Sequence, residues 1–231
     1  MTTTIARLTV AAMTALLCAT ASSASTAAQP AAPGCLDIGG TVAVGQSCRV
    51  HVETPTYTID ASYPLDYADQ PALSDFVKHD RDEFVDFMAQ TRPRDLPYRH
   101  ELTPHSYSTS GTQSVVFDVY DDTGAHPVTG FTAFNYNLGT AAAITFDTLF
   151  KRGAAAVTIL DPIVQRVMDK HWEGYGGPAP QNTLGAKVYQ NFAITDDAII
   201  FYIGQGMWLP EVAGPQRVPV PRSELVSVLA E

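Results

Sequence analysis

Hydrophobic residues recur at helical spacing in two segments of the chain, and each segment predicts an amphipathic helix. The first helix begins near Asp69, a candidate N-cap, with Pro71 in its first turn. Its apolar face consists of Leu73, Phe76, Val77, Phe84 and Met88. The second helix ends near His171, and the pair Asp161-Pro162 either starts it or kinks it. We expect both apolar faces to pack on a sheet.

Most of the remaining chain alternates apolar and polar residues with period two, which predicts short strands. They cover residues 49–53, 57–63, 98–109, 113–120, 131–137, 144–150, 191–195, 198–203 and about 217–220, with a short terminal helix from about Ser223. The pattern predicts an α+β fold with mostly antiparallel strands in two adjoining sheets, each backed by a helix. A doubly wound parallel sheet is disfavoured, because the long helical pattern occurs only twice.

The first 28 residues have the pattern of a secretory signal. One basic residue, Arg7, precedes an apolar stretch from residue 8 to 19 and then small residues, which place the cleavage between about residues 21 and 28. The apolar stretch is shorter than the roughly 20 residues that span a bilayer as a helix, so no stable membrane anchor is expected. Residues 29–34 are expected to be a flexible leader, followed by one α+β unit over 35–231 with possible subdomains 35–140 and 141–231.

Removal of the signal leaves two cysteines, Cys35 and Cys48. In an oxidising compartment one disulfide is the simplest interpretation, and no C-x-x-C spacing favours metal binding or nucleophilic catalysis instead. In the chain-entropy model this short loop stabilises the fold by about 3 kcal/mol. We therefore expect a covalent link at the amino-terminal strand.

The chain is acidic, with a formal net charge of −10. Without the signal, 13 basic and 24 acidic residues remain, a net charge of −11. No basic stripe is available to neutralise phosphates, which argues against nucleic-acid binding. The charge favours a soluble monomer whose protein partner, if it has one, is cationic, and it disfavours docking on anionic lipid.

The usual signatures of catalysis are missing from the sequence. No G-x-S-x-G elbow is present, and Ser47 and Ser110 are better explained as loop residues, although a triad on another fold needs no such motif. Neither an H-E-x-x-H helix nor a phosphate-binding glycine loop occurs. His100 and His105 are separated by an odd number of residues on a predicted strand and should face opposite ways. No metal and no cofactor are predicted.

One turn holds the titratable residues of most interest. His126 lies between Ala125 and Pro127, and its ordinary pKa of about 6.5 suits a switch or a proton carrier. A histidine that locks the turn through backbone hydrogen bonds is the more common arrangement. Asp121 and Asp122 in the same turn are candidate binding residues beside it.

Polar residues also line the outer face of the first helix. His79, Asp82, Glu83 and Asp86 could be read as metal ligands, but a solvated helix face is the favoured interpretation.

Short motifs in register along the mature chain resemble the mycobacterial secreted immunogenic proteins of the MPT/MPB antigen type. More distantly, they resemble the extracytoplasmic domain of lysozyme-sensing anti-sigma factors. The motifs are the loop from Cys35 to Gly45-Gln46-Ser47-Cys48, Tyr63-Pro64, Asp69-Gln70, Arg94-Asp95-Leu96-Pro97-Tyr98, Gly124-Ala125-His126-Pro127, Ala133-Phe134-Asn135-Tyr136, Ile144-Thr145-Phe146-Asp147-Thr148-Leu149, Pro162-Ile163-Val164-Gln165, Tyr189-Gln190-Asn191-Phe192-Ala193, Leu209-Pro210, Ala213-Gly214-Pro215 and Val220-Pro221-Arg222-Ser223. The distant relatives usually carry a second glycine before the histidine, where this chain has Thr123.

The resemblance implies an exported α+β protein with a β-grasp-like element and one amino-terminal disulfide. It implies less about activity, because the family is known mainly as secreted antigens, with some members described as esterases. Two hypotheses follow. The chain is an extracellular interaction module for a cationic extracellular or host-derived protein, or it is a secreted carboxylesterase for short-chain acyl esters with His126 as its candidate base. The missing elbow motif favours the first.

Overall fold

Ten strands form two sheets in the computed structural model, which describes residues 33–91 and 97–230. The larger sheet has seven strands in sequence order, β1 to β7, and the smaller has three in the order β10-β9-β8. All pairs are antiparallel except β3 with β4. The predicted α+β class with two adjoining, mostly antiparallel sheets is confirmed.

The elements follow one another along the chain with these bounds: α1 Pro33–Asp37, β1 Thr41–Ala43, β2 Ser47–Glu53, β3 Tyr57–Pro64, α2 Gln70–Gln90, β4 Tyr98–Ser108, β5 Thr112–Asp122, β6 Val128–Asn137, β7 Ala142–Ala143, α3 Phe146–Leu149, α4 Ala156–Trp172, β8 Phe192–Ile194, β9 Ala198–Ile203, β10 Gln216–Pro221 and α5 Arg222–Leu225. Short 3-10 helices cover Glu173–Tyr175, Gly185–Tyr189 and Glu211–Ala213.

Helix α2 connects the one parallel pair of strands and covers one face of the large sheet. It packs on β3, and its buried residues Leu73, Val77, Phe84 and Met88 are four of the five predicted positions; the fifth, Phe76, is partly buried. Asp69 occupies the predicted N-cap position, but its side chain makes no capping hydrogen bond. A hairpin, a crossover helix and a parallel strand therefore follow one another, as expected of a β-grasp-like element.

The two sheets meet through the opposite face of the large sheet. Val116 of β5 and Phe131 of β6 pack with Ala193 of β8 and Tyr202 of β9 in one buried cluster. Asn135 Nδ2 also donates a hydrogen bond of 2.8 Å to the carbonyl of Phe192. These contacts bury the middle of β5 on both faces, whereas residues such as Arg49 and His51 on the outer face of β2 stay exposed.

The small sheet is backed by helix α4, as predicted. Leu160, Ile163, Val164 and Met168 pack with the buried residues of β8, β9 and β10 in the largest apolar cluster. Pro162 lies inside this helix and does not start it. The helix continues because proline removes only one hydrogen bond, while the apolar face on both sides of it stays buried.

The predicted strand over residues 144–150 is wrong. Residues 144–150 contain helix α3 rather than a strand, because the backbone N–H of Thr145 donates a hydrogen bond of 2.9 Å to Thr148 Oγ1 and so caps the first turn. Helix α1 begins at Pro33, within the last two residues of the predicted leader 29–34. The signal at 1–28 and residues 29–32 of the leader lie outside the described residues. Within them, no helix combines the length and the apolar character needed to cross a membrane.

The predicted disulfide joins Cys35 of α1 to Cys48 of β2, and both residues are fully buried. Arg81 of α2 donates a hydrogen bond of 2.6 Å from Nη1 to the carbonyl of Ile38 in the same loop. Cross-link and hydrogen bond together attach the amino-terminal segment to both the large sheet and its helix.

Candidate functional site

His100 of β4 is a buried charged group held between two carboxylates from other elements. Its side chain is 4% exposed; Nε2 lies 2.5 Å from Asp80 Oδ2 of α2, and Nδ1 lies 2.7 Å from Asp121 Oδ1 of β5. A neutral imidazole has only one N–H, so the ring must be doubly protonated to donate to both acids. We call this arrangement the His100 clamp.

Simple features of the sequence build the clamp. His100 is on the inward face of β4, between the buried residues Tyr98 and Leu102, and Asp121 is its antiparallel partner in β5. Asp80 precedes Phe84 by one helical turn, and the Phe84 ring stacks on the imidazole with centroids 4.7 Å apart and planes inclined by 21°. Helix α2 therefore supplies both an acid and an aromatic lid.

The clamp changes the titration of the histidine. Burial lowers the pKa of His100, but the hydrogen bonds to Asp121 and Asp80 and their negative charges outweigh it and raise the pKa to about 9. The imidazolium is therefore the dominant form at neutral pH.

An open groove of about 400 Å³ lies over the clamp, between α2 and the end of the β4–β5 pair. It is lined by Asp80, Glu83, Phe84, Phe87, His100, Asp121 and Thr123. Three carboxylates face a single imidazolium, so the lining carries a net negative charge. We call this the acidic groove.

The aromatic part of the acidic groove reaches the surface. Phe87 is 44% exposed, and its ring centroid lies 6.2 Å from that of Phe84. An exposed phenyl ring beside carboxylates matches the recognition of a cation, which is attracted both by the acids and by the face of the ring.

The three candidates from the 121–127 turn separate in the structure. Asp121 belongs to the His100 clamp, whereas Asp122 Oδ1 accepts a hydrogen bond of 3.2 Å from the backbone N–H of Gly124. His126 is exposed, with Nε2 at 3.5 Å from Glu211 Oε2. Gly124, which follows the unusual Thr123, has a φ of +86°, the left-handed backbone that glycine adopts easily.

The polar residues on the outer face of α2 also separate into groove and surface positions. Glu83 lines the acidic groove, and its Oε1 lies 3.2 Å from Nε2 of His79. Asp82 instead pairs with Lys78 and Arg81 on the helix surface, which lowers the pKa of its carboxyl group through hydrogen bonds to those cations.

A second cavity, of about 480 Å³, lies on the outer face of the large sheet. It is lined by a histidine, an aspartate and a serine, the three residue types of a catalytic triad. His51 Nδ1 lies 2.6 Å from Asp60 Oδ1, and Ser62 lines the same cavity. However, His51 Nε2 lies 3.8 Å from Glu53, at the end of β2 away from Ser62, whose cross-strand partner is Arg49. Both ring nitrogens of His51 therefore face carboxylates.

No serine donates to a histidine anywhere in residues 33–91 and 97–230. The hydrogen-bond partners of histidine side chains there are carboxylates, an arginine and the amide oxygen of Gln216. His105 faces the small sheet, next to Asp118 and Arg217, so the prediction that it and His100 point in opposite directions is correct. In the same ranges, no group of three or more His, Cys, Asp or Glu has the arrangement of metal ligands.

The chain is similar to known proteins over most of its length. It is 44% identical over 201 residues to Esterase Rv3036c of Mycobacterium tuberculosis (strain ATCC 25618 / H37Rv), covering 84% of this chain and 88% of that protein. It is 37% identical over 201 residues to Immunogenic protein MPB64 of Mycobacterium bovis, covering 85% and 88%, and equally to Immunogenic protein MPT64 of Mycobacterium tuberculosis. Residues 147–223 match the family described as Protein of unknown function (DUF3298).

Two solved structures share the fold. A DUF3298 family protein from Pseudomonas aeruginosa PAO1 aligns with a TM-score of 0.55 at 13% identity, covering 80% of this chain and 94% of that one. A second member of that family, from Bacteroides fragilis, aligns with a TM-score of 0.55 at 15% identity, covering 82% and 95%.

Proposed function

Because the chain belongs to the family of the mycobacterial immunogenic proteins MPB64 and MPT64, we propose that it is a secreted antigen-type protein that binds a cationic extracellular or host protein. In this proposal an arginine or lysine side chain of the partner enters the acidic groove. The carboxylates attract the cation, and Phe87 covers its apolar part.

One observation carries the proposal: the acidic groove combines three carboxylates, one buried imidazolium and a half-exposed phenyl ring in a single open cavity. Both nitrogens of His100 are already engaged by acids, so this histidine has no free lone pair to act as a base. The groove chemistry therefore supports binding of a cation over proton abstraction. The net charge of −10 adds long-range attraction for the same partner.

The groove is tested with a fluorescent peptide of alternating arginine and serine, its affinity being measured by anisotropy. We expect Glu83→Gln and Phe87→Ala each to weaken binding about threefold, and the double variant about tenfold, since each removes one contact with the cation. Glu83 is largely exposed and Phe87 about half-exposed, so the fold should tolerate the changes.

The matched control is Asp75→Asn, which removes one exposed charge from the same helix outside the groove. It should leave the affinity within about 1.5-fold of wild type, because at this distance it contributes only screened, long-range attraction. Equal losses in Glu83→Gln and Asp75→Asn would mean that net charge alone attracts the peptide. A citrulline peptide of the same length should not bind, and binding unchanged in 0.5 M salt would argue against an electrostatic basis.

The weaker alternative is a carboxylesterase, favoured by the name of the relative that is 44% identical. His126 is its candidate base from the sequence, but the carboxylate of Glu211 is its only described polar partner. Under our proposal purified protein does not accelerate hydrolysis of 4-nitrophenyl butyrate. Turnover that is lost in His126→Ala or His51→Ala, and kept in the exposed control His79→Ala, would establish the esterase instead.

A further inference from the structure

The His100 clamp places a buried positive charge directly beneath the surface on which the proposed ligand binds. Asp80 and Asp121, the two acids that hold the imidazolium, also line the acidic groove. A cation that enters the groove and the proton on His100 therefore interact with the same two carboxylates. Two positive charges that share the same carboxylates compete, because each one reduces the electrostatic stabilisation that the carboxylates give to the other.

The groups packed around His100 indicate that the ligand competes with the proton of this histidine. Helix α2 contributes Asp80 and Glu83 to its surroundings, and β5 contributes Asp121. Two apolar residues are also neighbours of His100: Ile59 is its partner on β3, and Phe84 covers the ring face. His79 lies outside the lining and contacts Glu83 from the exposed side.

We propose that the acidic groove exchanges a proton for its ligand: entry of a guanidinium or ammonium group displaces the proton of His100, so that affinity increases as the pH rises. This inference rests on the proposed function, since it concerns regulation of the same groove. The proton leaves the histidine for solvent, and the ligand charge replaces it as the counter-ion of Asp80 and Asp121. One N–H bond of the imidazolium breaks, its electron pair stays on the ring nitrogen, and no other covalent bond changes.

The pKa of His100, raised to about 9 in the free protein, sets the range in which the exchange is visible. If the bound cation lowers that pKa by about one unit, linkage predicts an affinity about sevenfold higher at pH 9.5 than at pH 7. An arginine peptide is the suitable probe, because the guanidinium group stays protonated throughout this range.

The test measures the dissociation constant of the arginine–serine peptide at pH 7 and pH 9.5, together with proton release by calorimetry at pH 8.5 in two buffers of different ionisation enthalpy. We expect about half a proton to be released per peptide bound. His100→Gln should bind more tightly than wild type at pH 7 and should lose the pH dependence, whereas His79→Gln should keep it.

The outcomes separate this inference from the proposed function. The exchange is overturned if the peptide binds with the same affinity at both pH values and releases no proton. If Glu83→Gln still weakens that binding, the groove remains a binding site. Absence of peptide binding at every pH overturns both. If His100→Gln does not fold, the proton count on wild-type protein still decides, because it needs no variant.

Discussion

His100→Ala is expected to lower the free energy of unfolding by about 3 to 4 kcal/mol at pH 7, as measured by urea denaturation. The substitution removes the cation from between Asp80, which is 17% exposed, and Asp121, and it leaves the mostly buried Asp80 carboxylate without a partner. It also removes the ring on which Phe84 stacks. Removing one partner of a buried ion pair lowers stability by far more than the intact pair contributes to it, because the other charge is left buried without a partner.

The control for this prediction is His79→Ala. His79 also faces a carboxylate, Glu83, but its side chain is 73% exposed, so its removal should cost less than about 0.5 kcal/mol. Similar losses in the two variants would mean that the His100 clamp is no more important than a surface ion pair.

His100 also predicts the direction in which the free energy of unfolding changes with pH. Folding raises the pKa of His100 from 6.5 to about 9, so its stabilisation is fully present below pH 6.5 and is lost as the pH rises through 9. A difference of this size corresponds to about 3 kcal/mol. Stability of the wild type should therefore fall between pH 6.5 and 9.5, and it should fall much less in His100→Ala.

Removal of the disulfide in the double variant Cys35→Ser/Cys48→Ser should lower the free energy of unfolding by about 3 kcal/mol. Both cysteines are fully buried, and the cross-link spans 13 residues of sequence. The loss should appear as a lower urea midpoint, and wild-type protein treated with reductant should approach it. Equal midpoints with and without reductant would contradict the expected contribution of the cross-link.

Gly40 provides an independent check on the packing around this disulfide. A Cβ at position 40 would lie 2.5 Å from Cys48 Sγ and 2.8 Å from the carbonyl oxygen of Cys35, so Gly40→Ala forces the cross-linked loop to move. We expect a loss of about 2 kcal/mol. Gly111→Ala, at a position with nothing within 4 Å of the new methyl group, should change stability by less than about 0.5 kcal/mol.

The regular elements were predictable because burial imposes a period on the sequence. The stripe from Leu73 to Met88, the alternation in the first half of β4 and the alternation in β10 each have one buried side, so only one local structure fits each pattern. Residues 144–150 were ambiguous, because Phe146, Leu149 and Phe150 fit the helical spacing i, i+3, i+4 as well as a short apolar strand. The Thr145 and Thr148 capping pair decides for the helix.

The acidic groove could not be predicted in the same way. His100 meets Asp80 and Asp121 across 20 and 21 residues of sequence. The crossover from β3 through α2 to β4 brings Asp80 to the histidine, and the antiparallel register of β4 with β5 brings Asp121. Asp121 was a candidate because it lies in an acidic turn, but nothing in that turn indicates which side its carboxylate faces. The usable signal was a histidine on the apolar face of a predicted strand, which has to find a polar partner when it is buried.

Recognition of a cationic side chain in the acidic groove is tested most directly by mapping the binding site of the arginine–serine peptide with amide chemical shifts. We predict saturable shifts centred on Glu83, Phe87, His100 and Thr123, and weak shifts on the outer sheet face. Shifts centred instead on His51 and Ser62, or spread evenly over the acidic surface without saturation, would contradict the account.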